Sequence, residues 1–306
     1  EDTLSELDAS DNTLIRTLRL KSGGAANDSP EWVDRVADSP YADSEQKPSA
    51  DDQVEHPSRL GDYELQNVIG RGGMSVVFSA RHTHLGRDVA LKVLLPTHQQ
   101  HGISRDRFAR EMRAVGALDH PSIVRATDAG QYRNTSYLVM EKIDGVDLTR
   151  VFRKLGPLSI PDACQIVAEA ARGLAYAHEK GVVHRDMKPS NLIINDQGSV
   201  KILDFGLARV QSVVGEVSMQ TTVGQLLGTL DYMAPEQADG SDVDDRADIY
   251  ALGATLFKLL GGSPPHGRSV DVPILEHLNR LAGTEAPRLT EFRDDIPEAL
   301  VELIAD

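Results

Sequence analysis

The sequence has little cysteine. Cys164 is the one cysteine among 306 residues, so no disulfide can form within the chain. A chain of this length can bury a core of its own, which excludes a disulfide-stapled miniprotein. One unpaired cysteine is typical of a reducing compartment, and the apolar helical pattern around Cys164 predicts a small core residue.

Long apolar runs are also missing. The most apolar helical pattern, residues 249–260, is shorter than the roughly 18 residues of a membrane span and contains Lys258. No signal peptide or membrane attachment is visible, and we expect a cytoplasmic location. Because the sequence opens at Glu1 without a methionine, we expect a piece of a longer chain, which leaves a membrane anchor beyond residue 306 open.

Basic residues are few, with 32 lysines and arginines against 47 aspartates and glutamates and a net charge of −15. This balance argues against nucleic acid as a partner. The first 60 residues alone carry 14 acidic and 6 basic residues. Residues 1–59 are also poor in large apolar side chains, which predicts an acidic, disordered segment. The alternative is a docking arm for a partner.

From residue 60 onwards the pattern is that of a folded domain, with order expected from about Tyr63. Four short strands and one helix are predicted before residue 142, at Leu65–Ile69, Val76–Arg81, Asp88–Leu94, Ser104–Leu118 and Tyr137–Met140. In the helix, Phe108, Met112, Val115 and Leu118 form one apolar face.

Helices dominate the second part of the chain. Ser159 is a predicted N-cap, and the helix after it ends before Gly181. Further helices are predicted over Ala247–Leu260 and Pro297–Ala305. We therefore expect an α+β protein with a β-rich lobe over residues 60–141 and a helical lobe over 142–306. The cleft between two such lobes is the natural ligand site.

Two features of the β-rich part suggest phosphate binding. Glycines between the first two strands, from Gly70 to Gly73, would let the backbone approach phosphates, although such a hairpin can also be an ordinary turn. Lys92 lies in an apolar strand. It either extends to solvent or is held by an anionic partner, for which Glu111 on the following helix is the candidate.

Carboxylates follow in the helical part. The stretch from His184 to Asn191 reads HRDMKPSN, and Asp204-Phe205-Gly206 and Ala234-Pro235-Glu236 come after it. A carboxylate such as Asp186 can orient a hydroxyl and accept its proton. The Asn191 amide oxygen and the Asp204 carboxylate are ligands suited to a hard metal ion.

These motifs, in this order from Gly70 to Glu236, resemble the signature of eukaryotic-like serine/threonine protein kinases of the bacterial type. The resemblance implies the bilobal protein-kinase fold, ATP and Mg²⁺ as cofactors, and phosphoryl transfer to Ser or Thr of protein substrates. One alternative is a catalytically weak pseudokinase or nucleotide-binding scaffold, against which the presence of Lys92, Asp186 and Asp204 argues. The other is a small-molecule phosphotransferase, against which Lys188 and Ala-Pro-Glu argue.

The resemblance also implies a role for each matching residue. Asp186 would be the base, Lys188 would steady the γ-phosphate, and Lys92, held by Glu111, would contact the α- and β-phosphates. Asn191 and Asp204 would hold Mg²⁺. The positions implied for ATP are Ile69, Gly70, Arg71, Gly72, Gly73, Met74, Ser75, Val77, Ala90, Lys92, Met140, Glu141, Ile143, Asp147 and Ile193. Asp147 would bind the ribose, although it could instead simply begin a helix.

Regulation is implied as well. Arg185 precedes the base, a pattern associated with control by activation-loop phosphorylation, and residues 208–227 include Thr221 and Thr222. We predict autophosphorylation at one of these threonines, with self-association of two copies for transfer in trans. Asp248 matches an aspartate that ties a helix to the catalytic-loop backbone.

The sequence departs from the family pattern at two places. Ser75 stands at the third glycine position of the Gly-rich loop, which costs some backbone freedom. The sequence also stops at Asp306 inside a predicted helix, before the arginine that in the family pairs with the glutamate of Ala-Pro-Glu. We therefore expect Glu236 to lack that partner in this chain.

Overall fold

The computed structural model describes residues 58–71, 75–94, 112–132, 135–205, 230–239, 243–267 and 274–305. They form a small lobe built on a six-stranded sheet, followed by a larger, mainly helical lobe. The predicted α+β, bilobal architecture is therefore confirmed. The predicted disordered segment, residues 1–59, lies outside the described residues except for its last two.

The first lobe is an antiparallel sheet. Its strands are β1 (Arg59–Leu60), β2 (Tyr63–Arg71), β3 (Ser75–His82), β4 (Asp88–Leu94), β5 (Ala126–Tyr132) and β6 (Thr135–Glu141). They lie in the order β1-β2-β3-β4-β6-β5. The sheet thus starts at Arg59, before the expected Tyr63, because Leu60 is buried in a cluster with Tyr63 and Tyr137. A strand of two residues shows no period in a sequence.

Strand β4 is covered on both faces. Val89 and Leu91 belong to one apolar cluster of the sheet, and Ala90 belongs to another that also contains Met140. Because successive side chains of a strand point to opposite faces, Lys92 lies on the same face as Ala90. Leu203 of the second lobe packs against that cluster, so this face of β4 is directed at the helical lobe.

The predicted helix over 104–118 is described only in its last part. Residues 112–116 are helical, and Met112 and Val115 are buried as predicted. Leu118 is buried too, but it follows the end of the helix instead of lying on its face. Phe108 and Glu111 lie outside the described residues.

The second lobe combines a small sheet with helices. Its elements are β7 (Gly145–Asp147), α1 (Leu148–Leu155), α2 (Ile160–Glu179), β8 (Leu192–Asn195), β9 (Val200–Ile202), α3 (Pro235–Asp239), α4 (Arg246–Gly261), α5 (Ile274–Gly283) and α6 (Glu298–Ala305). Strands β7, β8 and β9 pair in that order and antiparallel. In the described part of the chain, no helix is both long and apolar enough to cross a membrane.

Helices α2 and α4 pack together in the core of this lobe. The predicted cap of α2 is confirmed, because Ser159 Oγ accepts a hydrogen bond from the Asp162 N–H. Ile166 and Leu174 are buried as predicted, and α4 ends at Gly262, whose φ of 100° suits glycine. Cys164 is partly buried on α2. Burial raises the pKa of its thiol, which stays protonated at neutral pH.

A buried carboxylate ties α4 to the loop that precedes β8. Asp248, in the first turn of α4, is fully buried, and it accepts hydrogen bonds from the backbone N–H groups of His184 at 2.7 Å and Arg185 at 2.6 Å. Its Oδ2 also lies 2.8 Å from His178 Nε2. The predicted role of Asp248 as an anchor for the loop backbone is therefore confirmed.

Substituting Asp248→Asn should lower the free energy of unfolding by about 3 kcal/mol, because an amide cannot accept from all three donors and leaves buried N–H groups unpaired. Chemical denaturation followed by circular dichroism measures the change. The control is Asp245→Asn, at the exposed N-cap of the same helix, where the side chain makes no capping hydrogen bond. Equal stability of the two variants would contradict the anchor role.

Candidate active site

The loop between α2 and β8 brings three of the predicted site residues together. Lys188 Nζ lies 2.9 Å from the Asp186 carboxylate, and Asn191 Nδ2 donates to the Asp186 carbonyl oxygen at 2.7 Å and to Oδ2 at 3.2 Å. Asp186 and Lys188 are partly exposed, whereas Asn191 is buried. The arrangement leaves a carboxylate at the surface of the cleft with its position fixed from two sides.

Lys92 meets the helical lobe at Asp204. Its Nζ lies 2.8 Å from Asp204 Oδ1, and its side chain is only 8% exposed. The sequence prediction gave Lys92 a different partner, Glu111, which lies outside the described residues. The ion pair with Asp204 joins β4 of the first lobe to the segment that follows β9.

Asp204 is held ionised by its cationic surroundings. Burial alone would raise the pKa of its carboxyl group, but the charge and hydrogen bond of Lys92, together with His184 and Lys188, lower the pKa below its ordinary value. The carboxylate is therefore negatively charged throughout the physiological range of pH and able to attract a cation.

His184 links the two carboxylate-bearing segments. Its ring Nδ1 accepts from the Asp186 N–H, so Nε2 carries the proton and donates to the Leu203 carbonyl oxygen at 2.7 Å. The ring also packs edge-on against Phe205, with centroids 4.8 Å apart. The fully buried His184 thus fixes Asp186 relative to the residues on both sides of Asp204.

Backbone strain is concentrated at the same place. Arg185, with φ 68°, and Asp204, with φ 64°, are the two non-glycine residues of the described part with a left-handed backbone. This conformation costs about 1–2 kcal/mol per residue and is found most often at functional sites. The Arg185 N–H donates to Asp248 Oδ1, and His184 Nε2 donates to the carbonyl oxygen of Leu203, next to Asp204; these two hydrogen bonds hold the strained segments in place.

An apolar cluster brings together residues that the resemblance assigns to the adenine ring. Ala90 and Met140 are cross-strand partners within one cluster, and Val77 and Ile143 pack against that cluster. Ile193 is on β8, where it pairs with Lys201 on one side and Asp147 on the other. The structure thus brings four of the predicted adenine-pocket residues together.

The glycine-rich loop is described at its two ends. Ile69, Gly70 and Arg71 end β2, and Ser75 begins β3, while Gly72, Gly73 and Met74 lie outside the described residues. A Cβ added at Gly70 would make ordinary contacts with Val77, at 3.6 Å or more. Among the described residues, packing therefore does not require glycine at position 70, and its implied role at the ATP phosphates stays a prediction.

Asp147 caps a helix. Its Oδ1 accepts the Arg150 N–H at 3.0 Å, and α1 begins at the next residue. The helix-start interpretation is therefore confirmed, while ribose binding stays a prediction.

One functional neighbour was missed in the sequence. Gln237 donates to the Arg185 carbonyl oxygen and accepts from the Ala234 N–H, both at 3.0 Å. It thereby joins the loop before β8 to the Ala-Pro-Glu segment. Its position directly after Glu236 is the signal that could have singled it out.

The donor set suits Mg²⁺ held jointly by protein and phosphate. Asn191 and Asp204 are adjacent, since the Leu203 N–H donates to the Asn191 carbonyl oxygen at 2.9 Å. Within the described ranges, no group of three or more His, Cys, Asp or Glu residues could hold a metal ion. Mg²⁺ bound to a nucleotide usually has one or two protein ligands, and phosphates and water supply the others. One carboxylate and one amide match that number.

Comparison with known proteins supports the same assignment. The protein kinase domain family matches residues 63–306. PknB, a serine/threonine-protein kinase of Mycobacterium tuberculosis, is 41% identical over 219 residues, which are 68% of this chain and 34% of that protein. A probable serine/threonine-protein kinase PknB of Lactococcus lactis is 36% identical over 244 residues, 79% of this chain and 38% of that protein. The chain therefore spans about a third of the length of these curated relatives.

A solved structure agrees with the fold. The crystal structure of the kinase domain of Mycobacterium tuberculosis PknI aligns with a TM-score of 0.62 and 29% identity, covering 82% of this chain and 90% of that one. The chain thus belongs to the protein kinase family and is a serine/threonine protein kinase domain of the bacterial type.

Proposed function

We propose that this domain transfers the γ-phosphate of ATP to serine and threonine hydroxyls of protein substrates. The observation that carries the proposal is the hydrogen-bonded set of Asp186, Lys188 and Asn191 beside the ion pair of Lys92 and Asp204. Nothing in this arrangement favours a pseudokinase, since Lys92, Asp186 and Asp204 are all present.

Asp186 is the group that receives the acceptor hydroxyl. Asp186 lines a small, open depression that Tyr232 and Met233 also line. A hydroxyl entering this depression can donate a hydrogen bond to the carboxylate, be oriented for attack and transfer its proton there. Lys188 keeps the carboxylate in place until the γ-phosphate competes for its ammonium group.

The phosphates meet cations from both lobes. Lys92 binds the α- and β-phosphates, and the backbone around Gly70 comes close to them because no Cβ intervenes. Asp204 and Asn191 would hold Mg²⁺, which would neutralise the charge that develops on the transferred group. The lowered pKa of Asp204 supports this role, since the carboxylate needs no deprotonation to bind the cation.

The nucleotide base occupies the apolar pocket of Val77, Ala90 and Met140 and bonds to the backbone of residues 141–143. ATP is a cytoplasmic metabolite, and Cys164 is an unpaired thiol, so we place the domain on the cytoplasmic side.

Substituting Asp186→Asn should reduce phosphoryl transfer at least about 100-fold, because an amide cannot accept the proton of the hydroxyl. The measurement is incorporation of radiolabelled phosphate from ATP into the 306-residue chain and into a generic protein substrate.

Asp196→Asn is the matched control, because Asp196 is exposed in the turn between β8 and β9. It should behave like the parent. Equal incorporation by Asp186→Asn and the parent would refute the proposed mechanism.

Substituting Asp204→Asn should remove the gain in ATP affinity that Mg²⁺ provides. Loss of the carboxylate is expected to weaken binding of ATP in the presence of Mg²⁺ by about tenfold or more. Calorimetric titration with ATP, with and without Mg²⁺, measures this without relying on turnover. A Mg²⁺ effect of the same size in Asp204→Asn and in Asp196→Asn would exclude Asp204 as the ligand.

We further propose that the domain phosphorylates a second copy of itself at Thr221 or Thr222. These threonines lie outside the described residues, and the support is the sequence pattern together with Arg185, whose Nη2 donates to the Val243 carbonyl oxygen. A phosphate carries about two negative charges at neutral pH and could pair with this guanidinium.

Incubation of the active chain with a size-tagged Asp186→Asn chain, followed by mass spectrometry, should find phosphate at Thr221 or Thr222 of the inactive copy. Replacing both threonines by alanine should remove that signal, whereas Ser212→Ala should leave it. Phosphate found only at other positions, or only on the active copy, would contradict this prediction.

A further inference from the structure

A second ion pair joins the two lobes at the back of the site. Lys201 Nζ lies 2.7 Å from Glu141 Oε1. Lys201 belongs to β9 of the helical lobe, and Glu141 ends β6 of the first sheet. Both side chains are largely buried, with 16% and 25% of their surfaces exposed. The mechanism proposed above uses only the backbone of Glu141 and does not use Lys201.

The carboxylate of this pair is held by a third group. The Arg125 N–H donates to the same Glu141 Oε1 at 3.0 Å, and the Glu141 N–H donates back to the Arg125 carbonyl oxygen at 3.0 Å. One residue earlier, the Val124 N–H bonds to the Ile202 carbonyl oxygen at 2.9 Å. Glu141 is therefore fixed in orientation, and the ion pair joins two segments that are themselves firmly placed.

The pair lies next to the proposed nucleotide pocket. Lys201 is the cross-strand partner of Ile193, and Glu141 directly follows Met140. Lys201 also precedes Asp204 by three residues. The segment 201–204 therefore forms one ion pair with Glu141 at the end of β6 and another with Lys92 on β4.

The two interlobe ion pairs differ in whether the nucleotide competes with them. Lys92 and Asp204 have to engage phosphates and a metal ion, so their mutual bond competes with the ligand. Neither the Lys201 ammonium nor the Glu141 carboxylate has such a competing role. Their bond can therefore persist while nucleotide enters and leaves.

We propose that the Lys201–Glu141 pair is an interlobe tether that restrains opening of the hinge at residues 141–143 and thereby slows nucleotide release. This inference rests on the proposed function, because it assumes that the nucleotide lies between the tethered lobes. Rotation of the first sheet away from β9 would separate two opposite charges whose surroundings shield them only partly from water. Lys201 and Glu141 are thus positioning residues that act through the hinge.

The test measures the rate at which a fluorescent ADP analogue leaves the 306-residue chain in the presence of Mg²⁺, by stopped-flow displacement with excess ATP. Lys201→Met keeps the aliphatic stem but removes the charge, and Glu141→Gln keeps an oxygen for the Arg125 N–H. Each variant should release ADP about fivefold faster. This is the change in rate expected when one partly exposed ion pair is lost. The double variant should be no faster than either single variant, because both remove the same bond.

Conservative and distant substitutions make the test specific. Lys201→Arg retains a cation able to reach Glu141 and should release ADP at close to the parent rate. Lys154→Met and Glu298→Gln repeat the same chemical changes at exposed positions of α1 and α6 and should have no effect. Thermal unfolding of each variant identifies any variant that does not fold. Fast ADP release in a folded Lys201→Met variant, together with the parent rate in Lys201→Arg, therefore reports loss of the ion pair.

Three outcomes would overturn the tether. They are unchanged ADP release in both single variants, multiplicative effects in the double variant, and a Lys201→Arg variant as fast as Lys201→Met. A parent chain that binds the ADP analogue and yet gives one of these results refutes the tether alone. A parent chain that binds no nucleotide refutes the proposed function, and the tether with it.

Discussion

Three donors from two segments converge on the buried carboxylate of Asp248, and the geometry of the site depends on this contact. With the N–H groups of His184 and Arg185 held, Arg185 keeps its left-handed backbone and Asp186 is directed into the cleft. The ring of His184 in turn donates a hydrogen bond to the Leu203 carbonyl oxygen and so holds the segment before Asp204. A contact in the helical core therefore fixes two catalytic segments at once.

The predictable parts of the fold are the elements whose apolar residues recur at regular spacing or whose ends carry a capping residue. Helix α2 has both, since Ser159 marks its start and apolar residues recur along one face. Strand β4 was predicted with the bounds that it has, because its apolar run is bracketed by turn residues. Strands β1 and β7 have two and three residues, too few to show alternation, and their pairing depends on partners elsewhere in the chain.

The site was predictable where local motifs carry the chemistry. Asp186, Lys188 and Asn191 are close in sequence, so their meeting in one loop follows from the motif itself. The pairs Lys92–Asp204, Gln237–Arg185 and Lys201–Glu141 connect residues that are far apart in the chain. Such pairs leave no spacing signal, because only the tertiary fold brings them together. For Lys92 the sequence offered Glu111, which lies outside the described residues and stays a prediction, and the structure adds Asp204 as a partner.

Glycine at position 70 lowers the stability of the folded domain. Glycine has more conformational freedom in the unfolded chain than alanine, and where the native backbone accepts a Cβ, glycine lowers stability by about 0.4–1 kcal/mol. Among the described residues, a Cβ at this position would meet only ordinary contacts with Val77. On these contacts, alanine at position 70 would favour folding more than the glycine does. Under the proposed function, stability and activity therefore make opposite demands on this position, and selection for thermal stability alone would be expected to replace the glycine and impair the enzyme.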